Sequence, residues 1–117
     1  MVNTVVVGLG RSGIGAARLL KTSGKSVIVI DSGTGEALER KAADLKKQGI
    51  AVQINTPLVL ESLQPWQNNL ERVVISPGIA WDHPTLQHLR SHGVAIDGEM
   101  AVAWDALQSI PWIGITG

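Results

Sequence analysis

The sequence predicts an α/β protein, a doubly wound and mainly parallel sheet of about five strands with helices on both faces. Three observations predict it. Short β-branched runs alternate with helix-favouring stretches along the chain. Glycines stand where those stretches should stop, at Gly24, Gly49 and Gly93. The first β-branched run leads directly into a glycine-rich turn, Gly8-Leu9-Gly10-Arg11-Ser12-Gly13.

The elements follow in order. Thr4-Val5-Val6-Val7 is β-branched throughout and reads as a buried strand ending at Gly8. Arg11 to Thr22 favours helix, with Ile14, Arg18 and Leu19 at helical spacing. Val27-Ile28-Val29-Ile30 is a second buried strand, ending at Asp31, and Ser32-Gly33-Thr34-Gly35 is a loop. Glu36 to Gln48 is an amphipathic helix with the stripe Leu38, Ala42, Leu45, and Glu36 lies one turn before Arg40. Ile50 to Ile54 reads as the third strand. Pro57 to Leu63 predicts a short helix, interrupted near Pro65. Arg72 to Ile75 is the fourth strand and ends at Ser76-Pro77-Gly78. Pro84 to His92 is a helix with proline in its first turn. Val94-Ala95-Ile96 is the fifth strand, Glu99 to Leu107 a largely apolar helix, and Pro111 to Thr116 one more strand.

Composition bounds the function. The chain has 117 residues, which suits one compact domain. Apolar residues make up 44% and charged residues 17%, below the usual quarter, so much of the chain is expected to be buried. Lys plus Arg and Asp plus Glu are ten each, and this neutral balance gives no support for a nucleic-acid partner. Cysteine is absent, which excludes disulfides, thiolate nucleophiles and cysteine-held metals. Phe and Tyr are absent too, so the core is expected to be aliphatic. The N-terminus has no signal-peptide pattern, and no stretch approaches the ~20 apolar residues of a membrane span. A cytoplasmic protein without a membrane partner is expected.

In a doubly wound sheet, ligands bind at the carboxyl ends of the strands, where the strand order reverses. Three loops leave such ends. In Gly8-x-Gly10-x-x-Gly13, the first glycine permits a tight turn, the second lets a phosphate approach the backbone, and the third lets helix and sheet pack closely. The N–H groups opening the helix lack intrahelical acceptors and face the anion, and the helix dipole adds to the attraction. The fold is thus Rossmann-like. Asp31, about 20 residues beyond the turn, is placed to accept ribose hydroxyls and would repel a 2′-phosphate. Ser76-Pro77-Gly78 brings bare backbone to the mouth of the site. Each loop also has a plainer reading: a packing turn, a turn aspartate, an ordinary strand end. On these residues alone an NAD domain of a dehydrogenase ranks first, and a non-catalytic dinucleotide-sensing module stays open.

Other residues carry weaker signals. His88 and His92 lie four apart, a spacing that can bind metal, but no carboxylate joins them and a solvated helix face is the better reading. Trp81 could stack on a base or pack against its neighbours. Asp97 and Glu99 could act as acids or bases, or cap the helix that follows.

Val5 to Gly13, Val29-Ile30-Asp31-Ser32 and Ile75-Ser76-Pro77-Gly78-Ile79 together resemble the N-terminal domain of the Mur ligases, in the branch that adds D-glutamate to UDP-N-acetylmuramoyl-L-alanine. His83-Pro84, Ile96-Asp97-Gly98-Glu99 and Ile113-Gly114-Ile115-Thr116-Gly117 continue the pattern, so the resemblance spans essentially the whole chain. It implies a ligase of peptidoglycan synthesis in the bacterial cytoplasm. Such an enzyme uses ATP and Mg²⁺ to convert the substrate carboxylate to an acyl phosphate, which the amine of D-glutamate attacks. Residues 1–110 would form the UDP-binding domain and 111–117 the first strand of an ATP-binding domain. The backbone of Gly8, Leu9, Gly10 and Gly13, the Arg11 and Ser12 amides and the Ser12 hydroxyl would meet the diphosphate. Asp31 and Ser32 would line the uridine pocket, and Ser76, Pro77 and Gly78 would close on the uracil. Gly117 would open a phosphate-binding loop of the form GTNGKT. These residues are expected to act as a monomer, to bind UDP weakly and to catalyse nothing, with no catalytic or metal-binding residue among them. Two departures stand out. The family pattern can carry a basic residue where Gly33 stands, and Trp81 does not belong to it.

Overall fold

The computed structural model describes residues 2–76, 79–98 and 101–102, and of residues 11 and 12 the backbone. The chain builds β1 (Thr4–Val7), α1 (Arg11–Thr22), β2 (Val27–Ile30), α2 (Glu36–Lys47) and β3 (Ala51–Gln53). It continues through α3 (Leu60–Leu63), a 3₁₀ turn (Gln64–Trp66), β4 (Arg72–Ile75), α4 (Pro84–Ser91) and β5 (Ala95–Gly98). The five strands form one parallel sheet in the order β3-β2-β1-β4-β5. This is the predicted α/β doubly wound architecture. The order reverses at β1, with β2 on one side and β4 on the other.

Strand alternation sends successive side chains to opposite faces. Val6, Val29 and Val74 turn to one face, where Ala16, Ala17 and Leu20 of α1 and Ala42 and Leu45 of α2 cover them. Val5, Val7, Ile28, Ile30, Val73 and Ile75 turn to the other, against Leu63 of α3 and Leu86 and Leu89 of α4. Both faces are therefore dry, which is why β1, β2 and β4 are nearly continuous Val and Ile. Val102 joins the first cluster.

The face of α1 differs from the spacing read in the sequence. Ala16, Ala17 and Leu20 are buried, whereas Arg18 and Leu19 are exposed. The alanines let α1 lie close to the sheet, Leu20 and part of Ile14 pack beside them, and Arg18 and Leu19 turn outward. In α2 the expected stripe holds, with Ala42 and Leu45 buried and Leu38 partly so. The third helix begins at Leu60 rather than Pro57 and, as expected near Pro65, gives way after Leu63 to the 3₁₀ segment. Pro65 stands in the first turn of that segment, where a missing N–H costs little. β3 is shorter than the reading Ile50–Ile54, and β5 runs on to Gly98 instead of ending at Ile96. The helix expected over 99–107 is helical at 101 and 102; its other residues and the strand expected at 111–116 lie outside the described residues.

Three helices stop by the same device. In α4, Gly93 takes φ +85°, the Val94 N–H donates to the Leu89 carbonyl at 3.0 Å, and the Gly93 N–H donates to Arg90 at 3.0 Å. Gly24 and Gly49 close α1 and α2 with the same bond pattern. Leu89 and Val94 are both buried in the second cluster, so the cap also aims the chain into β5.

These packing facts set a stability contrast. Gly93→Ala forces an L-residue into a left-handed conformation, but its Cβ would meet nothing within 4 Å. It should cost about 1 kcal/mol in urea unfolding. Leu89→Ala empties a site that is 1% exposed and should cost about 2–5 kcal/mol. Equal costs for the two would contradict this account of the cap.

Candidate functional site

The site forms where β1, β2 and β4 end together. Gly8 follows β1 with φ +111°, a conformation that L side chains rarely adopt, and its N–H donates to Ile30 at the end of β2 at 2.8 Å. Leu9 is 1% exposed and anchors the turn in the core, so only its backbone is at the site. Gly10 is exposed with φ −76° and ψ 172°, and a Cβ there would meet nothing within 4 Å. Gly13 is buried. The first helical bond of α1 runs from the Ile14 N–H to the Gly10 carbonyl at 2.9 Å. The amides of residues 11–13 precede it, no side chain caps them, and no acid stands in the first turn. Bare backbone of this kind, at the positive end of a helix, suits an anion.

Asp31 has a task that the sequence did not reveal. Its Oδ2 accepts the Leu9 N–H at 2.8 Å, and its Oδ1 accepts the Gly33 N–H at 2.7 Å. The carboxylate thus ties the glycine turn to the loop after β2. Its backbone belongs to the same tie: Thr56 N–H donates to the Asp31 carbonyl at 2.9 Å, and Asn55, at φ 53°, donates to Gly33 at 2.9 Å. Both the ribose reading and the turn-aspartate reading were open for Asp31, and the turn geometry is present. Gly33 is hemmed in: a Cβ would fall 2.7 Å from Leu38 Cδ1 and 3.0 Å from Asp31 Oδ1. A side chain there would require the Leu38 Cδ1 methyl to shift.

Beside the turn lies a cavity of about 410 Å³ lined by Val7, Ser32, Thr56, Leu58, Ile79 and His83, among others. It is mostly apolar with a few polar groups, the usual character of a small-molecule pocket. Ser76 borders the glycine turn, its Oγ 3.6 Å from where a Gly8 Cβ would stand, and its carbonyl accepts the Ile79 N–H at 3.1 Å. Thus Gly8, Leu9, Gly10, Gly13, Asp31, Ser32 and Ser76 gather at one edge of the sheet. The Arg11 and Ser12 amides join them, while their side chains, Pro77, Gly78, Glu99 and Gly117 lie outside the description.

Sequence reading missed Thr56 to Val59, which line the cavity as a loop, and His83. The His83 Nδ1 accepts the Thr85 N–H at 3.2 Å and so caps α4. Lys41 was missed as well: from α2 its Nζ reaches the Leu9 carbonyl at 3.5 Å. A lysine one helix away in sequence gives no local signal of such an approach.

The weaker candidates resolve into structure. The His88 and His92 rings stack with centroids 4.3 Å apart, and His92 Nδ1 lies 2.9 Å from the His88 carbonyl. Among the described residues no group of three His, Asp or Glu side chains could hold a metal ion. Trp81 is 56% exposed and carries the Arg90 guanidinium 4.5 Å above its ring, with Arg90 also donating to the Trp81 carbonyl at 2.7 Å. Asp97 pairs with Arg72 at 2.7 Å between the neighbouring strands β4 and β5, and the start of the helix it was read to cap lies outside the described residues. No helix among the described residues is long and apolar enough to cross a membrane.

Comparison with known proteins separates fold from family. The MurC UDP-N-acetylmuramate-alanine ligase structure from Thermotoga maritima superposes with TM-score 0.65 at 22% identity, over 93% of this chain and 23% of that one. The TrkA-N domain of the Escherichia coli inner membrane protein ybaL superposes with TM-score 0.63 at 15% identity, over 89% and 81%. At these identities both likenesses concern the fold alone. Sequence similarity is closer. The chain is 66% identical over 117 residues to the UDP-N-acetylmuramoylalanine–D-glutamate ligase of Parasynechococcus marenigrum (strain WH8102), and 60% identical to that of Prochlorococcus marinus (strain MIT 9313). Each match covers 100% of this chain and 25% of the relative, so the chain spans about a quarter of their length. Residues 2–98 match the Mur ligase MurD-like N-terminal domain, and the chain therefore belongs to that family.

Proposed function

We propose that this chain holds the UDP part of UDP-N-acetylmuramoyl-L-alanine, within an ATP-dependent ligase that joins D-glutamate to it in peptidoglycan synthesis. The observation that carries the reading is a juxtaposition. An uncapped, acid-free helix start and a largely apolar 410 Å³ cavity share the carboxyl edge of one sheet, and the chain is of the MurD-like family. The amides opening α1 take the diphosphate. The cavity beside Ser32 and Ile79 takes the nucleoside.

The contribution of these residues to the reaction is positional. Binding the nucleotide end, far from the reacting carboxylate, supplies energy that orients the carboxylate for attack. ATP with Mg²⁺ supplies the phosphoryl group that activates it. Gly117 lies outside the described residues, and these offer no metal cluster, so no step through ATP or Mg²⁺ is derived from this chain. The 117 residues alone are proposed to bind without ligating.

The alternative, an NAD domain, would use Asp31 chiefly to accept ribose hydroxyls. Here both Asp31 oxygens already accept backbone N–H groups. Each oxygen keeps a second lone pair, so the preference for UDP over NAD rests on membership of the MurD-like family.

Two outcomes are expected. In thermal-shift titrations, UDP and UDP-N-acetylmuramoyl-L-alanine should raise Tm by roughly 5 °C at ten times their Kd, while NAD and NADP should not. A shift with NAD alone would overturn the reading. Asp31→Ala strands two backbone donors, so it should lower stability by about 1–3 kcal/mol in urea and abolish the UDP shift. Asp31→Asn keeps one acceptor oxygen and should fall between. Wild-type stability in Asp31→Ala would mean that the tie does not hold the loops.

A further inference from the structure

Two charges straddle the Leu9 peptide. On its N–H side stands the Asp31 carboxylate, with Oδ2 at 2.8 Å. On its carbonyl side stands the Lys41 ammonium, with Nζ at 3.5 Å. The tie made by Asp31 therefore has an electrostatic cost. It puts a negative charge at the Leu9 N–H, two residues before the first of the amides that would receive a diphosphate. A balancing cation is required nearby, and the described side chains include one at this place.

The other cations of α2 are engaged elsewhere. Arg40 pairs with Glu36 at 2.6 Å. Lys46 and Lys47 occupy the last turn, where they complement the helix dipole. Asp44, one turn beyond Lys41, faces Arg18 at 3.7 Å and Gln48 at 3.2 Å. Among the described ion pairs none involves Lys41. Its contact with the Leu9 carbonyl is at the outer limit of a hydrogen bond, and an ammonium has three donors. Lys41 stands near the turn with donors to spare. Its placement follows from the buried stripe of α2: Ala42 and Leu45 pack on the sheet, which swings the adjacent position 41 toward the end of β1.

We propose that Lys41 is a positioning residue for the diphosphate, neutralising the Asp31 charge and donating to phosphate oxygens at the start of α1. The proposal rests on the UDP reading above. It makes recognition depend on phosphate number and leaves the nucleoside alone.

The test measures calorimetric affinities of UDP, UMP and uridine for the wild type, Lys41→Gln, Lys41→Arg and, as a control for bulk charge, Lys47→Gln. Lys41→Gln should weaken UDP binding about tenfold, weaken UMP less, and leave uridine unchanged. Raised salt should weaken UDP binding to the wild type more than to Lys41→Gln. Lys41→Arg should restore most of the affinity, and Lys47→Gln should change nothing. Unchanged UDP affinity in Lys41→Gln overturns the proposal, as does an equal loss for UDP and uridine, which marks a structural role. A wild type that binds NAD and not UDP, UMP or uridine instead defeats the underlying UDP reading.

Discussion

β1 is the element on which the rest depends. It has a strand on each side and a helix layer on each face, so all four of its residues are buried. Its backbone groups must then be satisfied within the ladders to β2 and β4, because an unpaired buried amide or carbonyl is expensive. That requirement aligns Val7 with Ile30 and with Ile75. Three strands consequently end level, and the loops leaving them are forced into one place. The site is a consequence of this register before any ligand chemistry enters.

The loops would still diverge without a tie. Glycine turns are mobile for the same reason that they are useful, since they carry no side chain to pack. The Asp31 carboxylate supplies the missing restraint by accepting one N–H from each of two loops. The loop after β3 adds a second restraint through Asn55 and Thr56. Preorganised amides need not reorder when an anion arrives, which lowers the cost of binding. The restraint brings a charge with it, and Lys41 stands on the opposite side of the same residue.

The same strand order serves other proteins, as the likeness to the TrkA-N domain shows at the level of fold. Function resides in the loops that the fold presents. Here the neighbouring parts are Gly33, packed under Leu38, and the wall formed by Thr56, Leu58 and His83. Both lie beside the glycine turn rather than in it. A motif shared by many dinucleotide-binding proteins therefore says less about the ligand than its neighbours do.

The sequence by itself determined the α/β class, the glycine stops and the switch-point glycine turn. These are local properties: a β-branched run favours strand, and a glycine permits a positive φ, whatever lies across the fold. It also pointed to most of the candidate site: Gly8, Asp31 and Ser76 stand directly after strand ends, and Gly10 and Gly13 lie in the turn that Gly8 opens. Tertiary structure decided what depends on distant partners. The face of α1 turned on which residues could approach the sheet, so Ala16 and Ala17 went in and Leu19 came out. Asp97 became a partner of Arg72 because β5 lies beside β4. Lys41 reached the site from a helix whose spacing carries no trace of it. Local chemistry is written in consecutive residues, whereas the meeting of two side chains far apart in sequence is set by the packing of everything between them.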